Sequence, residues 1–85
     1  MLKIVHVEMA SRGYVLRLEG RVVGPWVEEL RRSCEGALTN SIPVVLDLAN
    51  VSFIDRTGVA LLRGLGGRGV ALINCSGFLA AQLRG

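Results

Sequence analysis

Residues 44–65 leave this chain few ways to fold. They read Val44-Val45-Leu46-Asp47-Leu48-Ala49-Asn50-Val51-Ser52-Phe53-Ile54-Asp55-Arg56-Thr57-Gly58-Val59-Ala60-Leu61-Leu62-Arg63-Gly64-Leu65. The opening run, introduced by Pro43, is β-branched and apolar, which predicts a buried strand over 44–48. From Gly58 onward the apolar residues fall at Val59, Leu61, Leu62 and Leu65, the spacing of one helical face. The residues between are expected to form a loop ending in Asp55-Arg56-Thr57-Gly58. That loop brings a carboxylate, a guanidinium and a hydroxyl to a helix N-terminus. Backbone N–H groups are unpaired there, and the helix dipole favours negative charge. Function is expected at this corner.

The flanking segments supply the rest of an α/β order. Residues 2–9 carry Ile4, Val5 and Val7 and predict a strand. A turn over 10–13 ends in Gly13. Residues 14–19 alternate, with Tyr14, Leu16 and Leu18 on one face and Val15, Arg17 and Glu19 on the other. That pattern predicts a half-buried strand, paired with the first as an antiparallel hairpin. Residues 20–24 are expected to be a loop. Pro25 suits the first position of a helix, where its missing N–H would be unpaired anyway. Val27, Leu30, Cys34, Ala37 and Leu38 then trace an apolar stripe, opposite Glu28, Glu29, Arg31, Arg32 and Glu35. Residues 40–43 stop that helix. A last strand is expected over 70–74. Ser76 is placed to cap a short helix over 77–83, with Phe78, Leu79 and Leu83 as its apolar side. The predicted order is β-β-α-β-α-β-α, in which every connection after the hairpin is a right-handed helical crossover between parallel strands.

Size and composition exclude several classes. Eighty-five residues read as one domain, 1–85, and 51% hydrophobic residues argue against disorder. The longest run without charge, 69–83, contains Asn74, Ser76 and Gln82 and is too short to span a membrane. Residues 1–9 carry His6 and Glu8 where a signal peptide needs an apolar core. A cytoplasmic protein, or a small module of a larger assembly, is therefore expected. Cys34 and Cys75 lack metal spacing and read as reduced thiols. The net charge of +3 is spread along the chain without a basic stripe, so nucleic acid is not an expected partner.

Enzyme machinery is not expected. His6 is the one histidine, with no evident reason to meet Ser52, Cys34 or Cys75. Gly64-Leu65-Gly66-Gly67-Arg68-Gly69 fits G-x-G-x-x-G, but it follows a helix and precedes a strand. A dinucleotide fingerprint needs the reverse, because the pyrophosphate sits on the following helix. The glycines read instead as a helix end and a connection. No cofactor or metal is expected.

The corner carries two choices that local rules disfavour. Asp55 reads first as a helix N-cap. Gly58 in the first turn is unfavourable by roughly 1 kcal/mol relative to Ala, which suggests that something approaches the backbone closely. Arg56 opposes the helix dipole. Locally unfavourable residues beside a cap are a feature of sites.

The same stretch, from Val44-Val45-Leu46-Asp47-Leu48 through Val51-Ser52-Phe53-Ile54-Asp55-Arg56-Thr57-Gly58 to Leu62, resembles the central motif of STAS domains. These are the anti-sigma factor antagonists and their relatives. The family pattern is an apolar strand ending Asp-Leu, then an apolar residue, Ser, two apolar residues and Asp-Ser-Ser/Thr-Gly, then an apolar helix. The contiguous match runs for about twenty residues, and the preceding elements agree in order. Members usually continue into another strand and helix, so this chain looks like a short version. The resemblance implies a β/α superhelix with a mixed, mostly parallel four-stranded sheet in sequential order and helices mainly on one face. It implies no catalysis, and binding of partner proteins through the start of the second helix.

Carried over residue by residue, the implied partner surface is Asp55, Arg56, Thr57 and Gly58, extended along the helix by Val59 and Arg63. In many members the Ser directly after the Asp is phosphorylated by a partner kinase, which abolishes binding. Arg56 stands at that position here, and Thr57 is the fallback phosphoacceptor. The implied partner is an anti-sigma-type kinase or another bacterial signalling protein, and the implied role is in transcription regulation. STAS-like subunits also sit on ATPase subunits of lipid-transporting ABC complexes, which is the alternative reading. A small nucleotide-binding domain using the glycine-rich segment is a third.

Overall fold

The structure, a computed structural model, describes residues 2–10 and 13–84. Its elements are β1 (Leu2–Ala10), β2 (Gly13–Val22), α1 (Pro25–Thr39), β3 (Val44–Ile54), α2 (Arg56–Gly67), β4 (Ala71–Ile73) and α3 (Gly77–Arg84). This is the order read from the sequence. The four strands lie in sequential order, with β1 antiparallel to β2 and the rest parallel. Right-handed crossovers between strands taken in sequence must all pass over the same face. α1 and α2 therefore cover one face of the sheet, as expected.

The predicted strand faces are those observed. Leu16 and Leu18 of β2 and Val44, Leu46 and Leu48 of β3 are buried. They pack with Leu30, Cys34 and Ala37 of α1, Leu62 and Leu65 of α2 and Leu79 of α3 in one aliphatic core. Val15, Arg17, Glu19, Val45 and Asp47 point to the other face and are only half-buried. Asp47 is held there by the Ala49 N–H, 3.0 Å from its Oδ1, and by the Asn74 amide at 3.1 Å. α1 carries its charges outward. Glu28 binds Arg31 one turn on and lies 3.7 Å from Arg32, while Glu35 reaches across to Arg68, the C-cap of α2.

Four local expectations need correction. β3 does not stop at Leu48 but continues to Ile54, through the expected loop. β2 likewise runs on to Val22 and pairs Glu19 with Asn50, Gly20 with Val51, Arg21 with Phe53 and Val22 with Ile54. Two register shifts place an extra residue in β3 each time, and the buried positions change from 44, 46, 48 to 51 and 54. A bulge turns a period of two into three, and the alternation that identifies a strand disappears. β4 covers Ala71–Ile73, one residue less at each end than the strand expected over 70–74. Phe78 of α3 is 65% exposed, whereas Leu79 is buried and Leu83 partly so. An eight-residue helix that inserts one leucine at a sheet edge leaves its neighbour outside.

Candidate functional site

The corner is ordered by one carboxylate. Asp55 is the N-cap of α2, in extended conformation, and its own N–H donates to the Val22 carbonyl at 3.1 Å. The β2–β3 ladder thus runs directly into the cap. Asp55 Oδ1 accepts from the Gly58 N–H at 2.7 Å and from the Thr57 hydroxyl at 2.8 Å. Oδ2 accepts from the Gly24 N–H at 2.9 Å. Gly24 is the N-cap residue of α1, at φ 54°, with no side chain to cap that helix. One residue therefore ties together the starts of two helices. The N–H of Gly24 first, then that of Gly58, then the Thr57 hydroxyl, hold the Asp55 carboxyl below the usual carboxylate range.

Gly58 has a reason that the sequence alone left open. It is buried, and a Cβ there would lie 2.7 Å from the Val22 carbonyl oxygen and 2.7 Å from Cγ2 of Ile54. What approaches its backbone is the end of the sheet. The Thr57 hydroxyl turns back onto Asp55, a local bond of the kind that Thr makes in a first turn.

Around this corner lies an open groove of about 520 Å³. It is lined by Phe53 and Ile54 of β3, by Asp55, Arg56, Val59 and Arg63, and by Gln82 of α3. The structure thus brings Asp55, Arg56, Val59 and Arg63 to one surface, with Gly58 beneath it and Thr57 exposed beside it. Arg56 and Arg63, two turns apart, both face the groove, and neither forms an ion pair among the described residues. Sequence reasoning missed Phe53, read as loop, and Gln82, in a helix with no visible link to the corner. It also missed Arg21, whose guanidinium stands 5.9 Å from the centre of the Phe53 ring. Only the β2–β3 register puts Arg21 beside Phe53.

Asp55 has both oxygens engaged, and among the described residues the other titratable side chains on the groove are the two arginines. His6 stands on β1 against the ring of Tyr14, with centroids 5.9 Å apart. Gly64, Gly66 and Gly67 belong to the last turns of α2, and Gly69, at φ 92°, makes the turn into β4. They form no strand-to-helix phosphate loop. Among the described residues no three His, Cys, Asp or Glu side chains gather as metal ligands. No helix there is long and apolar enough to cross a membrane.

Comparison with known proteins agrees with this frame. The model of the STAS domain family matches residues 4–81. Among solved structures, the anti-sigma factor antagonist SpoIIAA in its unphosphorylated form aligns with a TM-score of 0.74 at 21% identity, covering 99% of this chain and 82% of its own. An uncharacterised protein of Shewanella loihica PV-4 with a SpoIIAA-like fold aligns with a TM-score of 0.60 at 15% identity, covering 91% of this chain and 69% of its own. At these identities the likeness is one of fold. No match is found among curated proteins.

Proposed function

For a chain that belongs to the STAS domain family, we propose a non-catalytic interaction module that binds a signalling protein through the start of α2. The observation that carries this reading is the division of labour at the corner. Asp55 is turned inward to order it, and Arg56, Val59 and Arg63 are left facing an open groove. Asp55 acts as the organiser, with Gly58 as the close-packed base. Arg56, Thr57, Val59 and Arg63 form the contact surface. Two free guanidinium groups select a partner surface that carries carboxylates, which fits an anti-sigma-type kinase or a comparable regulator.

The phosphorylation switch of many relatives is absent in this reading. Arg56 has no hydroxyl, and its charge is opposite in sign to phosphoserine, so it neither accepts a phosphoryl group there nor mimics one. Thr57 has a hydroxyl, but it is bonded to Asp55. The module binds constitutively or is regulated elsewhere. Incubation with each anti-sigma-type kinase of the organism and ATP, followed by intact mass, should leave the mass unchanged. A stoichiometric gain at Thr57 with loss of binding would overturn this part.

The binding surface itself is tested by Arg56→Glu. The variant should weaken partner affinity while the melting temperature stays within a few degrees, since exposed substitutions of this kind change stability by at most about 0.5 kcal/mol. A variant that holds its partner as tightly as the parent chain refutes the assignment.

A further inference from the structure

The groove has a floor that side chains alone do not describe. β3 is eleven residues long and β2 pairs with it from Val44 to Ile54. On its other edge β4 pairs only with Val45, Leu46 and Asp47. Beyond that point no described strand covers the edge of β3. β4 cannot continue upward. Asn74 follows it in the left-handed conformation, φ 57°, with its side chain on Asp47, and Ser76 then caps α3 through the Leu79 N–H. The same Asp47 carboxylate takes the Ala49 N–H, which closes the β4 ladder at its top. Residues 50–54 remain as strand with one edge on which no described strand pairs, and the groove meets that segment at Phe53 and Ile54, between α2 and Gln82 of α3.

Resting on the binding reading above, we propose that the partner is captured there as an added β-strand. An extended acidic segment pairs its backbone with residues 50–54 of β3 and lays its carboxylates against Arg56 and Arg63. Three observations favour this occupant. An unpaired strand edge is a ready template for a further strand, and extended peptides use such edges with alternate side chains entering pockets. The charges facing the groove are two unpaired guanidinium groups and one carboxylate already engaged in three hydrogen bonds. Across the groove from Phe53 and Ile54 stands Gln82 of α3, whose side-chain amide nitrogen is a donor for a peptide carbonyl. Phe53, 40% exposed, supplies apolar surface in the groove for the side chain between two acids.

The test uses a blocked heptapeptide of alternating Glu and Val, its Lys-Val counterpart, and a Glu-Val peptide N-methylated at alternate residues. Binding to the full chain is followed by amide shifts and hydrogen exchange. The Glu-Val peptide should shift residues 51–54 and the Gln82 side-chain amide saturably and slow exchange along 50–54. N-methylation removes two or three backbone hydrogen bonds and should weaken binding at least about tenfold. Arg56→Glu with Arg63→Glu should weaken it by a similar factor, and the Lys-Val peptide should not bind. Binding that ignores N-methylation but follows the arginines overturns the strand mode and leaves the docking corner standing. Saturable binding indifferent to both, or shifts confined to the open sheet face, removes the corner as well. Absence of saturable binding by the Glu-Val peptide refutes the strand proposal.

Discussion

Gly58→Ala and Gly64→Ala are the same chemical change in the same helix, and the structure predicts opposite outcomes. At Gly58 the added Cβ would stand 2.7 Å from the Val22 carbonyl oxygen, 2.7 Å from Cγ2 of Ile54 and 3.1 Å from Cγ1 of Val22. Ordinary C···O contacts are no closer than about 3.3 Å. The carbonyl belongs to β2 and accepts the Asp55 N–H, so it cannot move without loosening the cap. Overpacking of this kind costs about 1–3 kcal/mol. A backbone clash belongs at the upper end, against at most about 1 kcal/mol gained in helix propensity. The net loss is about 2 kcal/mol. In a chain of this length each 1 kcal/mol moves the melting temperature by roughly 4–8 °C, so Gly58→Ala should fall by about 8–16 °C. Gly64 meets nothing within 4 Å. There the propensity gain is unopposed, and Gly64→Ala should rise by about 4–8 °C. Thermal melts followed by circular dichroism read both. A Gly58→Ala variant that melts at or above the parent would show that α2 is not pressed onto the sheet end as described.

Three further outcomes follow from the same geometry. Asp55→Asn can still accept from Gly58 but offers no second oxygen to Gly24, so it should lower the melting temperature at neutral pH. Because the folded carboxyl lies below its ordinary value, its stabilisation is present above the unfolded pKa and is lost as pH falls through the folded one. The gap between parent and variant should therefore close as acid takes the pH below the folded carboxyl's own lowered range, and a gap that persists there counts against the hydrogen-bond assignment. Burial pushes the Cys34 thiol up to about 11. A thiol reagent at pH 8 should thus label partly exposed Cys75 first and Cys34 only on unfolding, and prompt labelling of both would contradict the packing of α1. Gly66→Ala, in the last turn of α2 with open space around it, should not destabilise the chain, and saturable nucleotide binding lost in that variant would revive the glycine-rich segment as a site.

Much of this protein was legible before folding because the relevant patterns are local. The period-two faces of 14–18 and 44–48 and the helical stripe from Val27 to Leu38 reflect burial on one side of regular elements. The cap at Asp55 and the local bond of Thr57 depend on residues within three positions. The candidate corner could be located for the same reason. What the sequence did not carry is everything set by register and by distant partners. The two bulges that extend β3 to Ile54 exist only because β2 runs beside it. The identity of the body pressed against Gly58, the tie from Asp55 to Gly24 thirty-one residues earlier, and the meeting of Arg21 with Phe53 belong to the same class. So does the groove, since Gln82 reaches the corner only when α3 folds back from a strand that Asn74 has ended. Periodicity records which side of an element is buried. Tertiary structure decides what it is buried against, where a strand edge is left open, and which charges stay without a partner.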